Sequence, residues 1–145
     1  MPFVSREGAR LYWRVDGNQE KPALLLLNSL GTDHAMWSAV VPALVRDFRV
    51  LRMDTRGHGA SDAPKTDYTI PMLAADALAV VDAASARRAH ICGLSMGGML
   101  ALELAAEHPD RVDRVIGANT SPQMDSRLMR ERAALVREKG MAAIV

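Results

Sequence analysis

The sequence holds a single cysteine, Cys92, among 145 residues. No disulfide can therefore form within the chain, which fits a reducing compartment. Neither sign of charge is in excess: 18 Lys and Arg against 17 Asp and Glu leave +1. Such a balance gives no field to draw nucleic acid or an anionic membrane surface. No apolar run approaches the roughly 20 residues of a membrane span. The opening MPFVSREGARLYW has no basic stretch leading into an apolar one, so no secretory signal is read there. There is no internal repeat, low-complexity tract or linker. The histidines and carboxylates lack metal-ligand spacing, so neither a metal nor a cofactor is expected. What remains is ordinary globular composition, 49% apolar and 24% charged, in a length that suits one domain. A cytoplasmic protein with no nucleic-acid or membrane partner is the expectation.

Phe3 to Ser5 and Leu11 to Val15 flank REGAR, with Gly8 in the bend, and predict a β-hairpin. ALLLL, Ala23 to Leu27, is apolar at every position, as a strand buried on both faces is. Ala35 to Val45 reads as a helix, with Pro42 implying a kink or a late start. Val50 to Met53 is the next strand, ending in Asp54 and a Gly-rich loop. Thr69 and Pro71 open a helix that runs to about Ala84, as cap and first-turn residue. Ala89 to Cys92 predicts a strand, Met96 to Glu107 a helix stopped at His108-Pro109, and Val112 to Ala118 another strand. From Ser126 the pattern is helical and charged. A hairpin followed by alternating strands and helices predicts an α/β fold, with a mostly parallel sheet and helices on both faces.

One short stretch carries chemistry. Gly93-Leu94-Ser95-Met96-Gly97 matches G-x-S-x-G. In a chain of this length, chance alone supplies that match about one time in twenty at average Gly and Ser frequencies. Context decides: the match follows a predicted buried strand and opens a predicted helix, the two conditions of a nucleophile elbow. A tight strand-to-helix turn pushes the serine hydroxyl out of the sheet. The helix aims its free N–H groups and positive dipole end at the site. The bland alternative is a Gly-rich turn that only packs helix on strand. A dinucleotide fingerprint fails, because Ser95 stands where the second glycine must admit a pyrophosphate, and the next strand ends in Ala118-Asn119-Thr120 without a carboxylate.

Together, LLLLNSLGTDHAMW, RMDTRGHGASDAP and ICGLSMGGMLALELAAEHPDRV resemble the α/β-hydrolase superfamily in order and spacing. NSLG and GLSMGG resemble the 3-oxoadipate enol-lactonases within it. That resemblance implies an α/β-hydrolase fold and a serine hydrolase that opens a lactone to 3-oxoadipate in aromatic catabolism. It also implies no cofactor. Ser95 matches the nucleophile; Met96 and Leu30 match the two backbone N–H donors of the oxyanion hole. Asn28, Ser29 and Trp37 are the implied substrate-binding residues, although Asn, Ser and Gly also suit an ordinary strand-end turn and Trp37 also suits the core. Asp54, Arg56 and His58 match a signature loop read as a hydrogen-bonded scaffold, and Cys92 as a small core hydrophobe. The partner so implied is a small-molecule lactone or ester, which in the enol-lactone case carries a carboxylate.

The triad acid and base have no match. Of His34, His58, His90 and His108, only His108 follows Ser95, and it lies roughly 18 Å along the helix at 1.5 Å per residue. His34 stands beside the oxyanion loop but does not match the base. The nearest carboxylate after the last strand is Asp125, which suits a helix cap. The expectation is an incomplete form of the fold: residues 1–125 as the front of the core and 126–145 as the start of a helical lid. Arg127, Arg130 and Arg132 there suit either a substrate carboxylate or a solvated helix face. The last strand is then left as an open sheet edge. Three readings follow: an enol-lactonase-like hydrolase; the same fold acting on another ester or a C–C bond; and a non-catalytic or split protein that binds a partner through that edge.

Overall fold

In the computed structural model, which describes residues 3–123 and 125–144, six strands form one sheet in the order β1-β2-β4-β3-β5-β6. β1 (Phe3–Arg6) and β2 (Ala9–Asp16) make the expected hairpin. Its two turn residues, Glu7 at φ 44° and Gly8 at φ 74°, are both left-handed, the requirement of a type I′ turn. β2 pairs antiparallel with β4 (Arg49–Met53). From there β3 (Ala23–Leu27), β5 (Ala89–Leu94) and β6 (Val112–Ala118) continue the sheet in parallel. The α/β architecture, mostly parallel with an N-terminal hairpin, is the one the sequence implied.

The apolar run of β3 splits between two cores. Leu25 and Leu27 point to the face covered by α2 (Ile70–Ala83) and α3 (Met96–Glu107), among Leu73, Val80 and Leu100. Leu24 and Leu26 point to the other face, beside Val50. Alternation along a strand makes every residue apolar when both faces are covered.

The single helix expected over 35–45 is instead two pieces, a 3-10 turn at His34–Trp37 and α1 (Val41–Leu44). Pro42 lies in the first turn of α1, where its missing N–H loses nothing; further inside a helix its ring would clash with the preceding turn. The Asp33 carboxylate caps the first piece, accepting the Ala35 N–H at 2.8 Å. The Thr69 hydroxyl caps α2 by accepting the Met72 N–H at 3.2 Å, and Pro71 sits in its first turn. Asp125 caps α4 (Ser126–Lys139), a helix with no buried residue. No described helix is long and apolar enough to cross a membrane.

Candidate active site

β5 turns into α3 through Ser95, whose backbone takes φ 54° and ψ −115°. A serine held there is strained by an amount of order 1–3 kcal/mol, which the surroundings must offset. Glycines make the turn possible. A Cβ on Gly93 would stand 2.0 Å from the Gly97 carbonyl oxygen, and one on Gly97 2.2 Å from the Leu27 carbonyl oxygen. The turn is then clamped from β6: the Ser95 N–H donates to the Ala118 carbonyl at 2.9 Å, and the Thr120 hydroxyl donates to the Ser95 carbonyl at 2.8 Å. Ser95 and Met96 are both half-buried. The Met96 N–H opens α3 and has no acceptor among the described residues, as the first N–H groups of a helix do not.

The close approach of Gly97 to Leu27 and Asn28 sets the start of α3 against the loop that follows β3. That loop is built from its first residue. Asn28 is 1% exposed; its amide nitrogen donates to the Met53 carbonyl at 2.7 Å, and its oxygen accepts the Trp37 indole N–H at 2.9 Å. Both side chains are thus bonded to each other within the scaffold. Ser29 to Thr32 then forms a turn. The Thr32 N–H and hydroxyl both donate to the Ser29 carbonyl, at 3.3 and 2.8 Å. Gly31 has φ 78°, so the turn is type II, with Leu30 at its exposed corner. The Leu30 N–H has no acceptor among the described residues. Ser95 and Met96 follow β5, and Ser29 and Leu30 follow its parallel neighbour β3, so all four lie at the carboxyl edge of the parallel strands.

A second loop, Asp54 to Asp62, backs the first. Asp54 is 1% exposed. Its Oδ1 accepts the His34 N–H at 2.7 Å and lies 2.8 Å from His34 Nδ1, while Oδ2 accepts the Ala60 N–H at 2.9 Å. Arg56 is buried and donates twice to the Asp76 carboxylate, at 2.8 Å each. The hydrogen bond to that carboxylate holds the guanidinium above its ordinary pKa. Asp76 escapes a motif search, yet a carboxylate inside MLAADALAVV had to find a cation once its helix packed. Ligand-capable atoms of Asp33, His34 and Asp54 lie within 4.8 Å of one another. Each already serves a protein hydrogen bond, which makes the group a brace between the loops.

None of the four histidines is bonded to Ser95. His34 is on Asp54, His58 lies between Gly31 and Arg56, His90 packs edge-on against Phe48, and His108 ends α3. On the second face of the sheet a groove of about 530 Å³ is lined by Leu24, Leu26, Trp37, Cys92 and Ile116 among others. Cys92, expected as a core residue, is half-buried in its wall, and burial pushes its thiol pKa up.

A strained serine between glycines, on a strand-to-helix turn of a parallel sheet, defines an elbow of the kind that hydrolases use. The model of the α/β hydrolase fold family matches residues 22–144, and the chain belongs to that family. It is 38% identical over 144 residues to 3-oxoadipate enol-lactonase 1 of Acinetobacter baylyi, covering 99% of this chain and 54% of that protein. The crystal structure of the enol-lactonase from Burkholderia xenovorans LB400 superposes with a TM-score of 0.94 at 45% identity, over 99% of this chain and 56% of that one. A hydrolase from Pseudomonas aeruginosa gives a TM-score of 0.90 at 47% identity, over 94% of this chain and 52% of that one. The chain thus spans about half the length of the relatives it matches.

Proposed function

We propose that Ser95 is the nucleophile of a hydrolase that opens lactone or ester bonds, with 3-oxoadipate enol-lactone as the substrate. The observation that carries this reading is the Ser95 backbone at φ 54°, with the unpaired N–H groups of Met96 and Leu30 at the same edge of the sheet. The Ser95 hydroxyl attacks the lactone carbonyl, and the oxyanion forms between those two donors. Each such donor contributes a few kcal/mol, about 3 in the best-studied case, because it is in place before charge develops. Collapse expels the ring oxygen. In a lactone that leaving group stays on the same molecule, so the acyl-enzyme holds the whole opened chain until water releases it. The base that takes the serine proton, and the acid that orients it, are assigned to residues outside this chain, since its four histidines are engaged elsewhere. The helix from Ser126 is read as the beginning of a lid, and Arg127, Arg130 and Arg132 on it suit the substrate carboxylate by their forked donors. The protein works in the cytoplasm.

The test is hydrolysis by the protein as its host makes it. The enol-lactone is expected to turn over with a higher kcat/KM than p-nitrophenyl acetate, and Ser95→Ala is expected to lose about 10³-fold or more of both activities. A faster linear ester would overturn the substrate. Activity that survives Ser95→Ala would overturn the nucleophile.

A further inference from the structure

The middle of the Ser29–Thr32 turn stands out into solvent. Leu30 is 55% exposed, and a Cβ on Gly31 would meet no atom within 4 Å. Glycine takes either sign of φ with equal ease, so a type II turn with Gly at its third position can flip its central peptide to type I at little cost. One contact opposes the flip. The Gly31 N–H donates to His58 Nε2 at 3.0 Å. The other ring nitrogen, Nδ1, lies 3.2 Å from the Arg56 carbonyl oxygen. A carbonyl only accepts, so Nδ1 carries the proton; an N–H only donates, so Nε2 does not. The two contacts together select one neutral tautomer.

His58 is itself held firmly. Its N–H donates to the Thr55 carbonyl at 2.8 Å, and its carbonyl accepts the Ser61 N–H at 3.0 Å. Gly57 and Gly59 flank it at φ 81° and 52°, and a Cβ on Gly59 would stand 2.2 Å from Asp54 Oδ2. The same Asp54 anchors the far end of the first loop through the His34 N–H. Firm support behind a turn that could otherwise flip is what a preorganised donor needs, because its energetic advantage vanishes if the loop must reorganise during the reaction.

We propose that His58 is the positioning residue of the oxyanion loop: as the neutral Nδ1–H tautomer it takes the Gly31 N–H, locks the turn's central peptide, and leaves Leu30 as the loop's free donor. The proposal rests on the hydrolase reading for its catalytic meaning, but its geometry is testable without turnover. In the isotope-labelled full chain, long-range proton–nitrogen correlation of the His58 ring is expected to show Nδ1 protonated and Nε2 bare. Replacement by His58→Leu is expected to speed Gly31 amide exchange by about tenfold or more, the loss of one hydrogen bond's protection. His58→Gln, whose amide oxygen reaches to the position of Nε2, is expected to restore slow exchange. The Leu25 amide, in the centre of the sheet, serves as the control for global unfolding. A ring protonated at Nε2 would overturn the proposal, and so would Gly31 exchange unchanged in His58→Leu. If His58→Leu loses Leu25 protection as well, the ring tautomer of the parent decides alone. Should these measurements succeed while Ser95 shows no reactivity in the host's protein, the hydrolase reading fails and the loop assignment stands.

Discussion

The two faces of the sheet differ in how they are covered. One carries α2 and α3 and an extended buried cluster that reaches from Ala23 to Val112; on the other, the buried apolar cluster among the described residues is Leu24, Leu26 and Val50, under short pieces of helix. β3 serves both with the same residue type, so the difference lies in what packs on each side and not in the strand. The lesson is that the serine turn depends on the well-covered face. α3 packs there: the bare Gly97 lets its first turn approach the Leu27 and Asn28 carbonyls, and the bare Gly93 leaves room for the turn in which Ser95 takes φ 54°.

Truncating each face should expose that difference. Leu25→Ala, at a fully buried position, is expected to lose about 4 kcal/mol of unfolding free energy in urea. Gly97→Ala follows at about 3 kcal/mol, since its Cβ meets the backbone of β3, which cannot swing aside. Leu24→Ala, at the groove, should lose about 2 kcal/mol, near the low end for a leucine, because the open wall can relax. Equal losses for Leu24 and Leu25 would remove the contrast. Ile116→Ser, at a residue 61% exposed on β6, should change stability by no more than about 0.5 kcal/mol. Cys92 sharpens the comparison through pH. Its folded-state thiol holds its proton to a higher pH than the unfolded chain does. Between the two values unfolding releases a proton, so stability falls as pH rises. Alkylation of the folded protein should accordingly begin at a higher pH than that of an exposed thiol. An alkylation profile matching a free peptide would contradict the burial.

Much of this was legible in the sequence, for reasons of range. The hairpin, the caps at Thr69 and Asp125 and the elbow are set by neighbours a few residues apart. The break between Trp37 and Val41 was only half visible, because Pro42 says that a helix cannot run through it and not which side keeps one. The bracing of the site was the least legible part. Asp54 meets His34, Arg56 meets Asp76, and Gly31 meets His58 across some twenty residues or more. No local pattern specifies such pairs; they follow from which strand ends the sheet brings together. Asn28 shows the same limit. The family resemblance, and not its type, implied a substrate-binding role, and the bonds of its amide to Met53 and Trp37 could not be read from the sequence.

The central claim is that Ser95 is a reactive nucleophile. Its most direct test is fluorophosphonate labelling of the protein isolated from its host, followed by tryptic mass spectrometry of the peptide Ala89–Arg111. One adduct is expected on that peptide, located at Ser95 and absent from Ser95→Ala. An unmodified peptide, in a sample whose other serine hydrolases are labelled, would contradict it.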